Sequence, residues 1–401
     1  MPCRRASSGG QPVTAVAERR NIVIVGGSIA AVTAAQVLRA EGYAGELTML
    51  SAEMQLPYSR VPLSKAVLAG SADQASCALP MSTDDVNVRL GQEVVGLDDQ
   101  AHTIHVAEGG TIPFDGLIVA SGARARRLSQ PGQSGEYVVR DAADIPALAE
   151  RLSTARTVAV VGAGFLGMEI ASTCSKQGLD VTVIDRDPPL RRLLGAWLSA
   201  LIVAEAESVG VRFVRAADGV RILGDGEVVG VGYGDTTLRP DVVISAVGDI
   251  PNTEWLSGSR LHTQGAVIID QWCVAAPDVV AAGDVAAIRQ PTGEVMRLPH
   301  WNNAVRQAQS AALSLLHGRD APVATPDHYF WTEAFGMQIK VCGLIPNHEP
   351  PIILEHNDEK GSFLLQWVAA DGGPIAAATV NRKMPVVKLR RLAAEVVATA
   401  S

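Results

Sequence analysis

Two stretches of the chain share one pattern of apolar and polar positions. One begins at Asn21 and the other at Thr157, and each runs through an apolar segment, a glycine-rich turn and an amphipathic segment. The apolar segments are rich in β-branched residues, which predicts buried parallel strands, whereas the segments after the turns have a helical period. A second apolar strand follows, from Leu47 in one stretch and up to Asp185 in the other. Each stretch therefore predicts a βαβ unit of an α/β sheet with right-handed crossovers.

Most other apolar runs before residue 290 also predict strands. They begin at Val88, Thr103, Phe114, Val211, Glu227, Asp241 and Val279. Residues 300–317 have the pattern of an amphipathic helix. From about residue 321 aromatic residues concentrate and apolar positions alternate with polar ones, which is typical of an antiparallel sheet, and a helix is predicted at about 385–399. We therefore expect two α/β domains and a smaller α+β domain.

Composition narrows the class of protein. The formal net charge of −8 and the isoelectric point near 5.5 argue against a nucleic-acid binder, which would carry a net basic domain. Hydrophobic residues make up 47% of the chain and charged residues 19%, which excludes a disordered protein. No apolar run approaches the roughly 18 residues that span a bilayer. Residues 1–20 lack the apolar core of a secretory signal, so we expect a disordered leader there and no membrane partner.

The five cysteines are widely separated and include no C-x-x-C pair. This spacing excludes a redox dithiol of that type and argues against a four-cysteine zinc site. An odd number of scattered cysteines is typical of reduced thiols, so we expect a cytoplasmic protein. His102 and His105 are three residues apart, a spacing that sends them to opposite faces of a strand, and we expect no metal site.

The second glycine-rich turn carries the stronger cofactor motif, Gly162-x-Gly164-x-x-Gly167. In dinucleotide-binding folds the first glycine allows a tight turn, the second lets the backbone approach a pyrophosphate, and the third lets the helix pack close to the strand. The pyrophosphate then lies on the helix N-terminus, whose N–H groups favour an anion. Asp185 ends the next strand, where an acid accepts a hydrogen bond from the adenosine ribose. A purely structural turn is the alternative.

The first glycine-rich turn is a weaker version of the same motif. Gly26 keeps the first glycine position, but Ser28 and Ala31 replace the other two glycines. Alanine still permits close packing at the third position, and serine is small and adds a hydroxyl donor. The expected ribose acid is replaced, and Glu53 is the substitute candidate. The turn favours nucleotide binding, with a structural turn as the alternative.

Seven further segments, taken in order, resemble the FAD-dependent ferredoxin reductases that serve bacterial cytochromes P450 and Rieske oxygenases. The family includes putidaredoxin reductase and the biphenyl dioxygenase ferredoxin reductase. The segments cover residues 57–65, 114–124, 247–254, 281–284, 300–304, 329–331 and 381–382. The most specific of them are P-Y-S-R-V-P-L-S-K, which ends at Lys65, and Phe330-Trp331. The resemblance extends over about residues 21–395.

The resemblance implies a glutathione-reductase-like architecture, with two Rossmann-like dinucleotide-binding domains and a C-terminal α+β domain. The FAD-binding domain would cover residues 21–141 and 250–320, the NAD(P)-binding domain residues 142–249, and the C-terminal domain residues 321–401. Disulphide reductases of this fold need a cysteine near the flavin. Residues 58–65, the corresponding stretch, contain none, which argues against that chemistry.

The resemblance also implies roles for individual residues. Lys65 would lie beside the flavin as a positive charge, Glu169 near the nicotinamide, and Trp331 beside the flavin on the face where the iron–sulfur partner docks. These three are the catalytic candidates. Cofactor binding is assigned to Lys65 and also to Gly26, Ser28, Ala30, Glu53, Val94, Arg140, Asp284, Trp301, Gly162, Gly164, Gly167, Asp185 and Gly248. The helix after Asp284 would point its N-terminus at the flavin.

The implied activity is transfer of a hydride from NADH to FAD and of single electrons to a small [2Fe–2S] or other iron–sulfur ferredoxin. Asp185 favours NADH over NADPH because a carboxylate accepts from a ribose hydroxyl and repels a 2′-phosphate. Arg186, Arg191 and Arg192 keep NADPH as an alternative. The basic residues from Arg382 to Arg391 form either a solvated helix face or a docking patch for an acidic ferredoxin.

Three alternatives share most of these motifs. They are a rubredoxin reductase, an oxidase that passes electrons to oxygen, and a degenerate FAD-binding module that acts in regulation. The altered first glycine turn motivates the last of these. The resemblance implies a monomer or weak dimer that binds no nucleic acid.

Overall fold

The computed structural model describes residues 19–82, 84–261, 265–290 and 292–394, and the chain forms two compact units. Unit 1 comprises Met1–Pro57, Leu79–Gly122 and Pro251–Pro326, and unit 2 comprises Tyr58–Ala78, Ala123–Ile250 and Asp327–Ser401. The predicted leader lies outside the described residues except for its last two. Of these, Arg19 is buried and forms an ion pair with Asp278. The two units do not correspond one-to-one with the three predicted domains, whose boundaries remain a prediction.

Unit 1 is built on a six-stranded sheet. In spatial order its strands are Val274–Ala276, Val279–Ala281, Gly116–Val119, Asn21–Val25, Glu46–Leu50 and Asn87–Arg89. All neighbours pair in parallel except the first two. Two smaller sheets contain Val94–Asp98, Thr103–Val106 and Thr111–Pro113, and Val267–Ile269, Ala286–Arg289 and Val295–Met296. Ile22 and Ile24 of the central strand are fully buried, as expected of a parallel strand covered on both faces.

The helices of unit 1 are Ile29–Ala40 and Trp301–His317, which pack against each other. Short 3₁₀ turns are found at Glu254–Leu256 and Gly318–Asp320. Small residues such as Ala308 and Ala311 are fully buried where the longer helix meets the core. This close packing brings the first turns of both helices to the glycine-rich end of the sheet.

Unit 2 contains a five-stranded parallel sheet. Its strands, in spatial order, are Arg212–Arg215, Asp180–Asp185, Thr157–Val161, Val242–Ser245 and Glu136–Tyr137. The helices around it are Asp144–Thr154, Phe165–Lys176 and Arg191–Ser208. A small antiparallel sheet contains Arg221–Leu223, Gly230–Tyr233 and Thr236–Leu238, and Ala123–Ala125 pairs with Asp249–Pro251. A π-helical turn covers Leu63–Val67 and a 3₁₀ turn covers Gln74–Cys77.

The C-terminal part of unit 2 is a five-stranded antiparallel sheet. The strands, in spatial order, are Phe330–Ala334, Met337–Gly343, Pro374–Val380, Ser362–Val368 and Ile352–Asn357, and a 3₁₀ turn covers Asp358–Lys360. Helix Val386–Leu392 covers one face of the sheet through the buried Leu389. Helix Phe165–Lys176 packs against the edge strand Phe330–Ala334.

The predicted fold class is confirmed: each βαβ stretch forms a parallel sheet, and an antiparallel sheet follows. The closing helix, predicted at about 385–399, runs from Val386 to Leu392, and residues after 394 lie outside the described part of the chain. Within the described ranges, no helix is long and apolar enough to cross a membrane. The same ranges contain no group of three or more His, Cys, Asp or Glu residues that could hold a metal ion.

Candidate functional site

The first glycine turn of unit 1 is fixed by contacts with neighbouring strand ends. Gly26 has φ +132°, and a Cβ there would lie 2.0 Å from the carbonyl oxygen of Ala120. A Cβ on Gly27 would lie 2.4 Å from Oγ of Ser51. Both glycines are therefore required by the packing of the protein itself, independently of any ligand.

A third glycine, Gly283, places the predicted flavin ligand Asp284 next to this turn. A Cβ on Gly283 would lie 3.2 Å from Cβ of Ala30 and 3.7 Å from Cβ of Ala304. The N–H of Gly283 donates to Oε1 of Gln307 at 2.9 Å. Asp284 follows directly, so it lies at the first turns of helices Ile29–Ala40 and Trp301–His317.

Both helix N-termini at this place suit an anion. The residues that precede them, Ser28 and His300, make no side-chain capping hydrogen bond, and neither first turn contains an acidic residue. Unsatisfied N–H groups and the positive end of the helix dipole then point at the same region. A pyrophosphate fits this arrangement, which supports the predicted roles of Gly26, Ser28 and Ala30.

Three other predicted residues of unit 1 lie near the same sheet. The Glu53 N–H donates to Oγ of Ser51 at 3.3 Å, which places Glu53 just beyond strand Glu46–Leu50. Val94 begins a strand of the small sheet and packs partly against the core of the unit. Trp301 is the first residue of its helix and is half-buried. Their contacts with a flavin remain predictions.

In the second glycine turn, in unit 2, two glycines are required by packing and one lies beside open space. A Cβ on Gly162, which has φ +106°, would lie 2.3 Å from the carbonyl oxygen of Ala246. A Cβ on Gly167 would lie 1.9 Å from the carbonyl oxygen of Gly162. Gly164 is different, because a Cβ there would have no neighbour within 4 Å and its backbone is extended. The open space beside the Gly164 backbone is compatible with the predicted approach of a coenzyme pyrophosphate, which remains a prediction.

Helix Phe165–Lys176 begins directly after Gly164, again with no side-chain cap and no acid in its first turn. Oδ2 of Asp185 accepts the Ala163 N–H at 2.6 Å, and Oδ1 accepts the Asp187 N–H at 3.1 Å. Asp185 therefore holds the turn, and its contact with the adenosine ribose remains a prediction. Gly248 lies at the same carboxyl edge, after strand Val242–Ser245, with φ +94° and open space around it.

The two catalytic candidates Lys65 and Glu169 are in contact. Nζ of Lys65 lies 2.7 Å from Oε2 of Glu169, and only 8% of Glu169 is exposed. Oε2 also accepts from Oγ of Ser64 at 2.8 Å, and Oε1 accepts from Oγ1 of Thr332 at 3.0 Å. The Lys65 backbone is non-helical within its π-helical turn. One buried carboxylate is thus held by a cation and two hydroxyls.

The segment that carries Lys65 is anchored by two residues of its own motif. The Tyr58 hydroxyl accepts the N–H of Ala142 at 2.9 Å. The Arg60 guanidinium donates to the carbonyl of Arg140 at 2.9 Å and pairs with Asp141. Arg140 itself donates from Nε to the carbonyl of Ala123 at 2.8 Å. Arg60 therefore links the segment of Lys65 to Arg140, a second predicted flavin ligand.

The third catalytic candidate, Trp331, is not brought to the Lys65–Glu169 pair. Its neighbour Thr332 faces Glu169, and successive side chains on a strand point to opposite faces. Trp331 packs instead beside Tyr329, with ring centroids 5.9 Å apart, on the face that helix Val386–Leu392 covers. Its role at a partner-docking face remains a prediction.

The contacts of Ser64, Thr332, Tyr58 and Arg60 at the candidate site were not predicted from the sequence. Three of them lie in the P-Y-S-R-V-P-L-S-K segment, where the order of residues alone does not say which side chains turn inward. Strand alternation next to Trp331 was the one signal that could have set Thr332 apart.

The described cysteines are buried and unpaired with one another. Burial raises the pKa of the Cys174 and Cys273 thiols to about 12 and that of Cys342 to about 11. Thiol–disulfide chemistry requires a thiolate, so these residues are poor redox groups.

Comparison with known proteins identifies the family of the chain. Residues 20–308 match the model of the pyridine nucleotide-disulphide oxidoreductase family, and residues 329–400 match the reductase C-terminal family. The biphenyl dioxygenase system ferredoxin–NAD(+) reductase component of Paraburkholderia xenovorans (strain LB400) is 34% identical over 90% of this chain and 90% of its own. The chain belongs to the pyridine nucleotide-disulphide oxidoreductases, in the branch of the ferredoxin–NAD(+) reductases.

Two further similar proteins have names that mention different electron acceptors. The rubredoxin–NAD(+) reductase of Ectopseudomonas oleovorans is 31% identical over 84% of this chain and 90% of its own. The crystal structure of the covalent putidaredoxin reductase–putidaredoxin complex matches with a TM-score of 0.80 and 25% identity, over 93% of this chain and 91% of that one. The predicted family, fold class, enzyme class and cofactors, FAD and NADH, are confirmed by these comparisons.

Proposed function

We propose that this reductase takes electrons from NADH, passes them through FAD and delivers them to a small iron–sulfur ferredoxin that feeds a cytochrome P450 or Rieske oxygenase. The observation that carries the proposal is the contact between Lys65 and Glu169. Glu169 lies little more than one turn along the helix that begins at the coenzyme turn of Gly164. A cation and an acid are thus held close to the position where a nicotinamide coenzyme would bind.

In the proposed function some residues bind the cofactor, and others supply and position a positive charge. Bound FAD would supply acceptance of a hydride and release of single electrons. Gly26, Ser28 and Ala30 would hold its pyrophosphate at an uncapped helix, with Asp284 on the ribityl chain. Lys65 would supply positive charge, and Glu169 would keep its ammonium in place.

The three-domain division goes with this proposal. Residues 21–141 and 250–320 would bind FAD, residues 142–249 would bind the coenzyme, and the remainder would form the C-terminal domain. The coenzyme turn of Gly162, Gly164 and Gly167 supports the second assignment, and the turn at Gly26 supports the first.

The surface for the ferredoxin is proposed at the basic end of the chain. Lys383, Lys388 and Arg391 are exposed there. Arg382 and Arg390 are held instead in ion pairs with Glu355 at 2.6 Å and Asp327 at 2.5 Å. Exposed cations steer an acidic partner mainly through the rate of association. The double variant Lys383→Glu/Lys388→Glu should therefore lower kcat/KM for ferredoxin at low salt and leave reduction by NADH unchanged.

An anaerobic visible titration with NADH and then NADPH tests the first half of the reaction. We expect a flavin spectrum that bleaches with one equivalent of NADH. A colourless protein, or a flavin that neither coenzyme reduces, would refute the proposal and favour a regulatory FAD-binding module.

The acceptor is tested next with the reduced protein. A [2Fe–2S] ferredoxin, a rubredoxin and oxygen are each offered at equal concentration, and reoxidation is followed at the flavin band. The proposal requires the ferredoxin to react faster than the other two. Faster reaction with rubredoxin would favour the function named for the Ectopseudomonas oleovorans relative, and rapid reaction with oxygen alone would favour an oxidase.

A further inference from the structure

The buried carboxylate of Glu169 has two hydroxyl partners in addition to Lys65, and the proposed function assigns no role to these hydroxyls. Lys65 occupies Oε2 at 2.7 Å, together with the Ser64 hydroxyl at 2.8 Å. The Thr332 hydroxyl alone occupies Oε1 at 3.0 Å. Ser64 and Thr332 are 3% and 1% exposed, so both donors to the carboxylate are buried.

We propose that Thr332 is a positioning residue for the Lys65–Glu169 pair, with Ser64 in a supporting role. The proposal rests on the reductase function proposed above. Thr332 donates to Oε1 and so stops the carboxylate from turning that oxygen toward Lys65. The ammonium is then confined to Oε2 and stays at one place, where it serves the coenzyme and the flavin.

The need for a second donor follows from the chemistry of a buried carboxylate. Its two oxygens have about four acceptor positions, and a buried acceptor without a donor is costly. Without Thr332, one oxygen of Glu169 would keep no donor, and rotation of the carboxylate toward Lys65 would recover part of the loss. Placement of a charged group to within about half an ångström depends on such supporting contacts.

Two further hydrogen bonds tie the helix of Glu169 to its neighbours on the same face. Ser172 lies three residues after Glu169 on the same helix, and its Oγ accepts the N–H of Phe335 at 2.8 Å. Thr173 follows, and its Oγ1 donates to the carbonyl of Ser64 at 2.8 Å. Residues three and four apart share one helix face. That face therefore holds both the strand of Thr332 and the segment of Lys65.

The test compares Thr332→Val, which keeps the side-chain shape, with Thr332→Ser, which keeps the hydroxyl. In stopped-flow reduction by NADH, Thr332→Val should lower the limiting rate about tenfold, as expected for one hydrogen bond to a charged group. The KM for NADH should change less than twofold, because the coenzyme turn is untouched. Thr332→Ser should restore most of the rate. The flavin midpoint potential should fall in Thr332→Val, since a displaced cation stabilises the reduced cofactor less.

Ser172→Ala is the matched control. It removes a buried hydrogen bond to Phe335, in the turn that follows the strand of Thr332, but it contacts neither Glu169 nor Lys65. It should therefore lower the melting temperature without slowing reduction. If Thr332→Val does not fold, Ser64→Ala tests the same prediction from the other oxygen.

The outcomes separate the two proposals. If NADH does not reduce the wild-type flavin, the proposed function fails. If the wild type is reduced and Thr332→Val keeps its rate and potential, only the positioning role is overturned. An equal loss in Ser172→Ala, or no rescue by Thr332→Ser, would also overturn it.

Discussion

Replacing Gly164 by alanine tests the coenzyme turn directly, because the substitution should weaken coenzyme binding and leave the stability of the fold almost unchanged. A Cβ there meets no protein atom within 4 Å, and the backbone, at φ −76° and ψ −172°, is open to any residue. Gly167 provides the contrast, since its Cβ would lie 1.9 Å from the carbonyl oxygen of Gly162. The same substitution should therefore have opposite effects three residues apart.

The expected magnitudes follow from these contacts. Gly164→Ala loses about 0.5–1 kcal/mol because alanine is a poorer N-cap than glycine, and gains about 0.4–1 kcal/mol from a less flexible unfolded chain. Its free energy of unfolding should therefore stay within about 1 kcal/mol of wild type. Gly167→Ala should lose about 3 kcal/mol or more, because its clash is with backbone that cannot turn aside.

Coenzyme affinity is the property that Gly164→Ala should change. The methyl group would hold the pyrophosphate away from the helix N-terminus and cost about 1.5–3 kcal/mol of charge-assisted hydrogen bonding, which is roughly a 10- to 150-fold rise in Kd for NAD⁺. Calorimetric titration with NAD⁺ measures this rise, and the ratio of FAD to protein should remain unchanged. A variant that binds NAD⁺ as tightly as wild type would show that the open space at Gly164 serves no pyrophosphate.

Three further predictions rest on single contacts. Asp185→Ala should reduce the preference for NADH and raise KM for both coenzymes, because the acid also accepts the Ala163 N–H; unchanged kcat/KM ratios for NADH and NADPH would contradict the ribose role. Burial raises the pKa of Glu136, but several hydrogen bonds, including those from Ser129 and from the Leu128 N–H, together outweigh burial and hold the pKa below its usual value. Glu136→Gln should therefore lose about 1–3 kcal/mol at neutral pH. Denaturant melts should show this loss shrinking as the pH falls below about 4.3, the pKa of a glutamate in the unfolded chain, toward the lower pKa of the folded protein; a loss that does not vary with pH would contradict it. Arg60→Ala should release the Lys65 segment and lower FAD retention on gel filtration, and full retention would refute the anchoring role.

The parts of the site that could be predicted from the sequence are those set by short-range steric rules. A glycine that follows a buried strand and precedes a helix, as at Gly162, is needed where the backbone has φ +106° against a carbonyl. Asp185 could be placed because it ends the strand next to that turn. In both cases one βαβ unit contains every atom that decides the outcome, so local sequence is sufficient.

The contacts of Glu169 could not be predicted in the same way. Its partners Ser64 and Thr332 lie 105 and 163 residues away in the chain. The strand residue that faces the helix is determined by the register of the antiparallel sheet, in which Thr332 pairs with Ile339 of the neighbouring strand. Trp331, which belongs to the Phe330-Trp331 motif, points to the opposite face of the sheet for the same reason. A shift of one residue in that register would exchange the two side chains.

The family name refers to disulphide chemistry, and the described residues of this chain provide a different route for electrons. The turn Leu63–Val67 contains Ser64 and Lys65, and no cysteine, beside the buried acid. The cysteine on the neighbouring helix, Cys174, is buried, and the pKa of its thiol is raised to about 12, which leaves almost no thiolate at neutral pH. A buried thiol of this kind is a poor partner for electron exchange with a flavin. Under the proposed function electrons leave to an iron–sulfur acceptor outside the chain, and we expect the position of the Lys65 charge to influence how fast the flavin is reduced.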